Sequence, residues 1–155
     1  MKPDPARETG PLPSQYAAIA SFRLELRRFL AFSEAAATEA GVPPQQHQAL
    51  LAVAGHTGTE PPSVGTIAEQ LLIAPNSAAE LVSRMVEGGL LVKTPSPHDR
   101  RRTELALTET ASNLLRQLTA AHLEELKALE PALTRALGKH RRRASKGFRS
   151  TQLAR

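Results

Sequence analysis

Apolar residues recur at helical spacing along most of this chain, and the runs break where Gly and Pro stand. Residues 1–14 are rich in Pro and Gly without an apolar period and read as a flexible arm. Ile19, Phe22, Leu26, Phe29 and Leu30 then share one face of a predicted long helix from Gln15 to about Ala40, with Ser14 as its cap and Gly41 as its stop. Pro43 and Pro44 open a second helix to about Ala54, its inner positions Leu50, Leu51 and Val53. Residues 55–62 form a loop. Ser63 caps a short third helix with Ile67, Ala68 and Leu71 inward. Residues 72–74 turn the chain, and Pro75 opens a fourth helix with Leu81, Val82 and Met85 inward, ended by Gly88 and Gly89. Two β-capable runs, 90–94 and 103–107, flank a basic tip. Thr108 caps a long fifth helix striped with Ala111, Leu114, Leu115, Leu118, Leu126 and Leu129. Pro131 is expected to interrupt it before a last short helix over 132–137.

The predicted fold is therefore mainly α with a small β-hairpin wing, a winged helix-turn-helix framed by long terminal helices. It reads as one domain over residues 15–138, with a DNA-binding unit at about 43–108 and dimerisation helices at about 15–40 and 108–138. The frame implies a homodimer: neither long helix can bury its stripe on the small central unit, and a two-fold pair presents two readers to two half-sites.

Composition narrows the function classes. Aromatic residues make up only 3%, so the core is built from Leu, Ala, Val and Ile, and the absence of Cys excludes disulfides and thiolate metal sites. No run is apolar enough to span a membrane and the N-terminus has no signal-peptide pattern, so a cytoplasmic protein with no membrane partner is expected. The net charge of +5 suggests a polyanionic partner, but its placement matters more. Seven basic residues and no acid lie from Lys139 onward, leaving 13 basic against 15 acidic residues before them. Residues 139–155 read as a basic, disordered tail that adds non-specific DNA affinity. The densest cluster elsewhere is Arg100, Arg101 and Arg102.

Several segments in order carry a resemblance. They are Ile67-Ala68-Glu69-Gln70-Leu71, Leu81-Val82-Ser83-Arg84-Met85, Gly89-Leu90-Leu91, His98-Asp99-Arg100-Arg101-Arg102 and Leu105-Ala106-Leu107-Thr108. Together, over roughly Tyr16 to Leu137, the chain resembles the MarR family of bacterial winged helix-turn-helix regulators. The D-x-R step in the wing followed by L-T opening a long helix is the most specific part. The resemblance implies a homodimeric repressor on a palindromic operator in double-stranded DNA, with the fourth helix in the major groove and the wing in the minor groove. It also implies a small aromatic or phenolic effector that releases the DNA.

The candidate contacts follow. Arg101 matches the Arg of the D-x-R step, and a guanidinium suits a narrow minor groove. Asp99 would orient that side chain by a charge-assisted hydrogen bond, while Arg100 and Arg102 would reach phosphates. Ser63, Asn76, Ser77, Ala79, Ser83 and Arg84 are further DNA-contact candidates, helped by the positive end of the fourth helix. Glu80 departs from the basic or polar residue many relatives carry there. It either accepts from cytosine N4 or pairs with Arg84 at i,i+4, a pair worth about 0.2–0.5 kcal/mol. Arg23, Arg27 and His47 are candidates for an effector site, although surface or dimer-rim charges and an ordinary histidine are the simpler reading. His47, His56 and His122 match no compact metal motif, and no metal or cofactor is expected. No nucleophile–base constellation or phosphate loop points to an enzyme. An architectural nucleic-acid-binding winged helix and a winged-helix protein-interaction module are the alternatives to a regulator.

Overall fold

The computed structural model describes residues 10–144, with side chains described over 10–135. Its elements are α1 (Pro13–Glu39), α2 (Pro44–Ala54), α3 (Val64–Leu71), α4 (Pro75–Glu87), β1 (Leu91–Pro95), β2 (Thr103–Leu107) and α5 (Glu109–Ala144). They form two compact units. One comprises residues 32–122; the other, within the described residues, comprises 10–31 and 123–144.

The core of the 32–122 unit is built from Ala49, Leu50 and Val53 of α2, Ile67 of α3, Ala78, Leu81, Val82 and Met85 of α4, Leu91 and Leu105 of the hairpin, and Ala111 and Leu115 of α5. Ile67 and Met85 are fully buried, each stabilising the fold by about 1.5–3 kcal/mol relative to exposure. The stripe expected of α4 is the one observed. In α2 the inner face instead takes His47, Ala49, Leu50 and Val53, leaving Leu51 41% exposed.

Three helices stop in the same way. At the end of α1, Val42 N–H bonds the Ala37 carbonyl and Gly41 N–H bonds that of Thr38, with Gly41 at φ +80°. At the end of α4, Leu90 bonds Met85 and Gly89 bonds Val86, with Gly89 at φ +71°. These are Schellman closures, in which a left-handed residue turns the chain back onto the last carbonyls. The end of α3 repeats the pattern through Ile73 to Ala68 and Leu72 to Glu69, but its left-handed residue is Leu72, at φ +54° and 92% exposed.

The hairpin is antiparallel, with Leu91 opposite Leu107, Lys93 opposite Leu105 and Pro95 opposite Thr103. It is anchored at its base. Leu105 N–H bonds the Pro62 carbonyl at 2.8 Å, and Ser63 forms a bridge with Glu104. Ser63 also caps α3, as expected, in a reciprocal box in which its own N–H bonds Thr66 Oγ1 at 3.0 Å.

The other unit is helical. Its α1 segment begins at Pro13, with Gln15 Oε1 accepting from Leu12 N–H at 2.6 Å, so Gln15 rather than Ser14 covers the helix start. Ala18 and Ala132 are buried, whereas Tyr16, Ile19, Leu24, Leu26 and Leu30 of α1 and Leu123, Leu126 and Leu133 of α5 are exposed in the single chain. Pro131 does not end α5, and the helix continues to Ala144. A helix with many turns already formed needs no new nucleus, so losing one donor at Pro131 does not stop propagation. The expected break before 132 and tail start at 139 therefore give way to continuous helix over 132–144. The rest of the expected tail, 145–155, and residues 1–9 of the expected arm lie outside the described residues. Among the described residues, no helix is long and apolar enough to cross a membrane.

Candidate nucleic-acid interface

The candidate interface comprises α4 and the tip of the hairpin. Helical spacing puts Ala78, Leu81, Val82 and Met85 on the buried face of α4, which turns Asn76, Glu80, Ser83, Arg84 and Glu87 outward. Ser77 and Ala79 are exposed beside them. No side chain caps the start of α4, so the first amides face outward at the positive end of the helix. Glu80 and Arg84 form no ion pair with each other, so of the two alternatives for Glu80 the i,i+4 pair is not the one observed. The outward face of α4 carries one Arg against two Glu.

The wing tip is a closed turn. Asp99 Oδ1 accepts from the backbone N–H of Arg101 at 2.9 Å, Arg102 N–H bonds the Asp99 carbonyl at 2.9 Å, and Ser96 N–H bonds the Arg102 carbonyl at 2.9 Å. Asp99 thus shapes the backbone as an Asx-turn residue instead of holding the Arg101 guanidinium, as its short side chain reaches the nearer main-chain donor. Arg100 and Arg101 are exposed. Arg102 is not: its guanidinium donates through Nη1 to Glu60 and through Nη2 to the Pro61 carbonyl at 2.7 Å. Glu60 was not among the expected site residues. It lies 42 positions from Arg102, and nothing local in the sequence links them.

The residues expected of an effector site are placed as follows. Arg23 and Arg27 are exposed on the α1 segment of the helical unit. His47 is buried in the 32–122 unit, where its ring lies 4.9 Å from that of His122. His122 is held by the Leu118 carbonyl, at 2.7 Å from Nδ1, and by Ser33 Oγ, at 2.8 Å from Nε2. A carbonyl only accepts, so Nδ1 carries the proton, and in the neutral ring Nε2 accepts from the Ser33 hydroxyl. Burial, and then the neighbouring His122, hold the pKa of His47 below the ordinary 6.5. Elsewhere in this unit, a cavity of about 270 Å³ is lined by Leu51, His56, Thr66, Glu69 and Gln70 among others, and by none of the three expected effector residues. Among the described residues, no group of three His, Asp or Glu is arranged to hold a metal ion.

An exposed helix α4, preceded by the short capped α3 and followed by an anchored hairpin, defines a winged helix-turn-helix fold. Residues 40–102, from the end of α1 to the wing tip, match the model of the MarR family. The fold is that of MarR-family structures. AbsC, a MarR family transcriptional regulator from Streptomyces coelicolor, shares 15% identity over 92% of this chain and 99% of that one, with a TM-score of 0.65. The S. aureus MepR–DNA complex shares 16% identity over 88% of this chain and 97% of that one, with a TM-score of 0.63. CouR from Rhodococcus jostii RHA1, solved with p-coumaroyl-CoA, shares 19% identity over 83% of this chain and 88% of that one, with a TM-score of 0.53. No curated protein matches the chain significantly.

Proposed function

We propose that this protein is a sequence-specific DNA-binding transcriptional regulator, a cytoplasmic homodimer that represses from a palindromic operator and is released by a small ligand. The observation that carries the reading is the joint exposure of α4's polar face and of Arg100 and Arg101 on one folded unit. The first turn of α4, with Asn76 and Ser77, enters the major groove, where Ser83 and Arg84 reach base edges or phosphates. Arg101 enters the minor groove and Arg100 neutralises phosphate. Ser63 acts by holding α3 and the hairpin base together. MepR, solved with DNA, supports the polymer, and the MarR match over residues 40–102 supports the regulatory role.

The exposed apolar residues of α1 and α5 support a second copy of the chain as their cover. CouR, solved with p-coumaroyl-CoA, supports an aromatic effector.

The test is footprinting upstream of the protein's own gene, with and without aromatic acids, alongside sedimentation. A protected palindrome, an affinity falling steeply with salt and a dimer in solution are the expected results. Equal affinity for every duplex points to an architectural role, and failure to bind any duplex while retaining a protein partner points to an interaction module.

A further inference from the structure

We infer that Arg102 is a positioning residue of the wing, with Glu60 as its anchor, and that this pair sets how Arg100 and Arg101 are presented to DNA. The inference rests on the DNA-binding reading above and changes the role of the third arginine in the run.

Three consecutive arginines at a wing tip look equivalent in sequence, but they are not equivalent in the structure. Arg100 and Arg101 are exposed, whereas the side chain of Arg102 is 29% exposed and turned back along the hairpin. It meets two acceptors at once, the Glu60 carboxylate and the Pro61 carbonyl. A planar guanidinium with two donors in fixed geometry holds such a pair of acceptors, and a single ammonium does not. The Arg102 main chain closes the tip through Asp99 and Ser96. One residue therefore belongs to the tip by its backbone and to the segment before α3 by its side chain.

That segment is itself held. His56 Nε2 donates to the Glu60 carbonyl at 2.9 Å, closing the loop that presents Glu60. Just beyond, Leu105 N–H bonds the Pro62 carbonyl and Ser63 bridges Glu104. The Arg102–Glu60 contact extends this seam from the base of the hairpin towards its tip. A surface ion pair of this kind adds little to folding, with Glu60 66% exposed. Its effect belongs to binding: a tip already held in place loses less freedom when it docks.

Glu60→Gln separates this role from direct phosphate contact, because the two predict opposite signs. A phosphate-binding Arg102 is competed for by Glu60, so removing the carboxylate frees the guanidinium, deletes a repulsive charge and tightens DNA binding. A positioning Arg102 loses its anchor, and binding weakens. The experiment measures duplex affinity for wild type, Glu60→Gln, Arg102→Ala and the double variant, and amide hydrogen exchange at Ser96 and Arg102 in the DNA-free proteins. The expected result is affinity about three- to tenfold weaker for each single variant, as expected for freeing one or two side chains and the tip. The double variant should be no weaker than Arg102→Ala, and exchange at both amides should be faster in Glu60→Gln. Equal or tighter binding by Glu60→Gln, additive losses, or unchanged exchange overturns the proposal. Wild-type protein that binds no duplex overturns the regulator reading, while the exchange measurement still judges the Arg102–Glu60 tie.

Discussion

The hydroxyl of Thr108 donates to the Gly89 carbonyl at 2.7 Å while accepting from the Ala111 N–H at 3.2 Å. One oxygen thus joins the stop of α4 to the start of α5. The Thr108 N–H adds a bond to the Leu90 carbonyl at 3.2 Å. The residue that caps α5 also ties that helix to the end of the candidate recognition helix. Thr108→Val keeps the shape and removes the hydroxyl, leaving the Ala111 amide without its cap. It should lower stability by about 0.5–2 kcal/mol in urea unfolding, and Thr108→Ser should recover most of the loss.

His47 gives the fold a pH dependence of defined sign. Its folded pKa lies below the ordinary 6.5, so the unfolded chain takes up a proton first as the pH falls. The stability it contributes is full above pH 6.5 and is lost progressively below it, down to the folded pKa. Urea midpoints should fall between pH 7.5 and 5.5, and His47→Leu should flatten that slope. An equal slope in the variant would remove His47 as its source.

Leu72 occupies a backbone conformation that costs a non-glycine residue about 1–2 kcal/mol, and its side chain is 92% exposed. Leu72→Gly relieves the strain without opening a cavity, at the cost of a more flexible unfolded chain. The expected net gain is up to about 1 kcal/mol by thermal or urea unfolding. Gly89→Ala, at φ +71°, should move stability the other way by a similar amount.

Arg101→Ala should weaken operator binding by about 1–3 kcal/mol in a fluorescence titration and leave the sedimentation coefficient unchanged. Arg100→Ala should weaken all duplexes more evenly and reduce the salt slope by about 1. Full affinity in the Arg101 variant would take the minor-groove role away from the wing.

Local chemistry made much of the fold legible. Gly41 and Gly89 marked stops that the left-handed backbone confirms, and the α4 stripe and β2 limits follow from spacing alone. Pro131 misled because a local penalty was weighed without the helix already built before it. Leu51 misled because helical spacing left its side of α2 open to two readings, and the buried His47 settled the face. The candidate site was less legible. Its outward residues were readable from α4's period, but Glu60 with Arg102 and Ser33 with His122 meet across 42 and 89 positions, and only the folded chain brings them together. Asp99 was found, yet its partner was a main-chain amide that no residue pattern announces.

On the proposed reading, the charge on α4 bears on how the protein searches a genome. With Glu80 and Glu87 against Arg84, this helix opposes the general attraction that holds proteins to arbitrary duplex. It gains only where its polar groups find matching base edges, so encounters at wrong sites are brief. A cell offers about 10⁶–10⁹ such sites. Short residence on each leaves more of the protein free, and the time to reach an operator is then set less by escape from decoys than by the number of collisions.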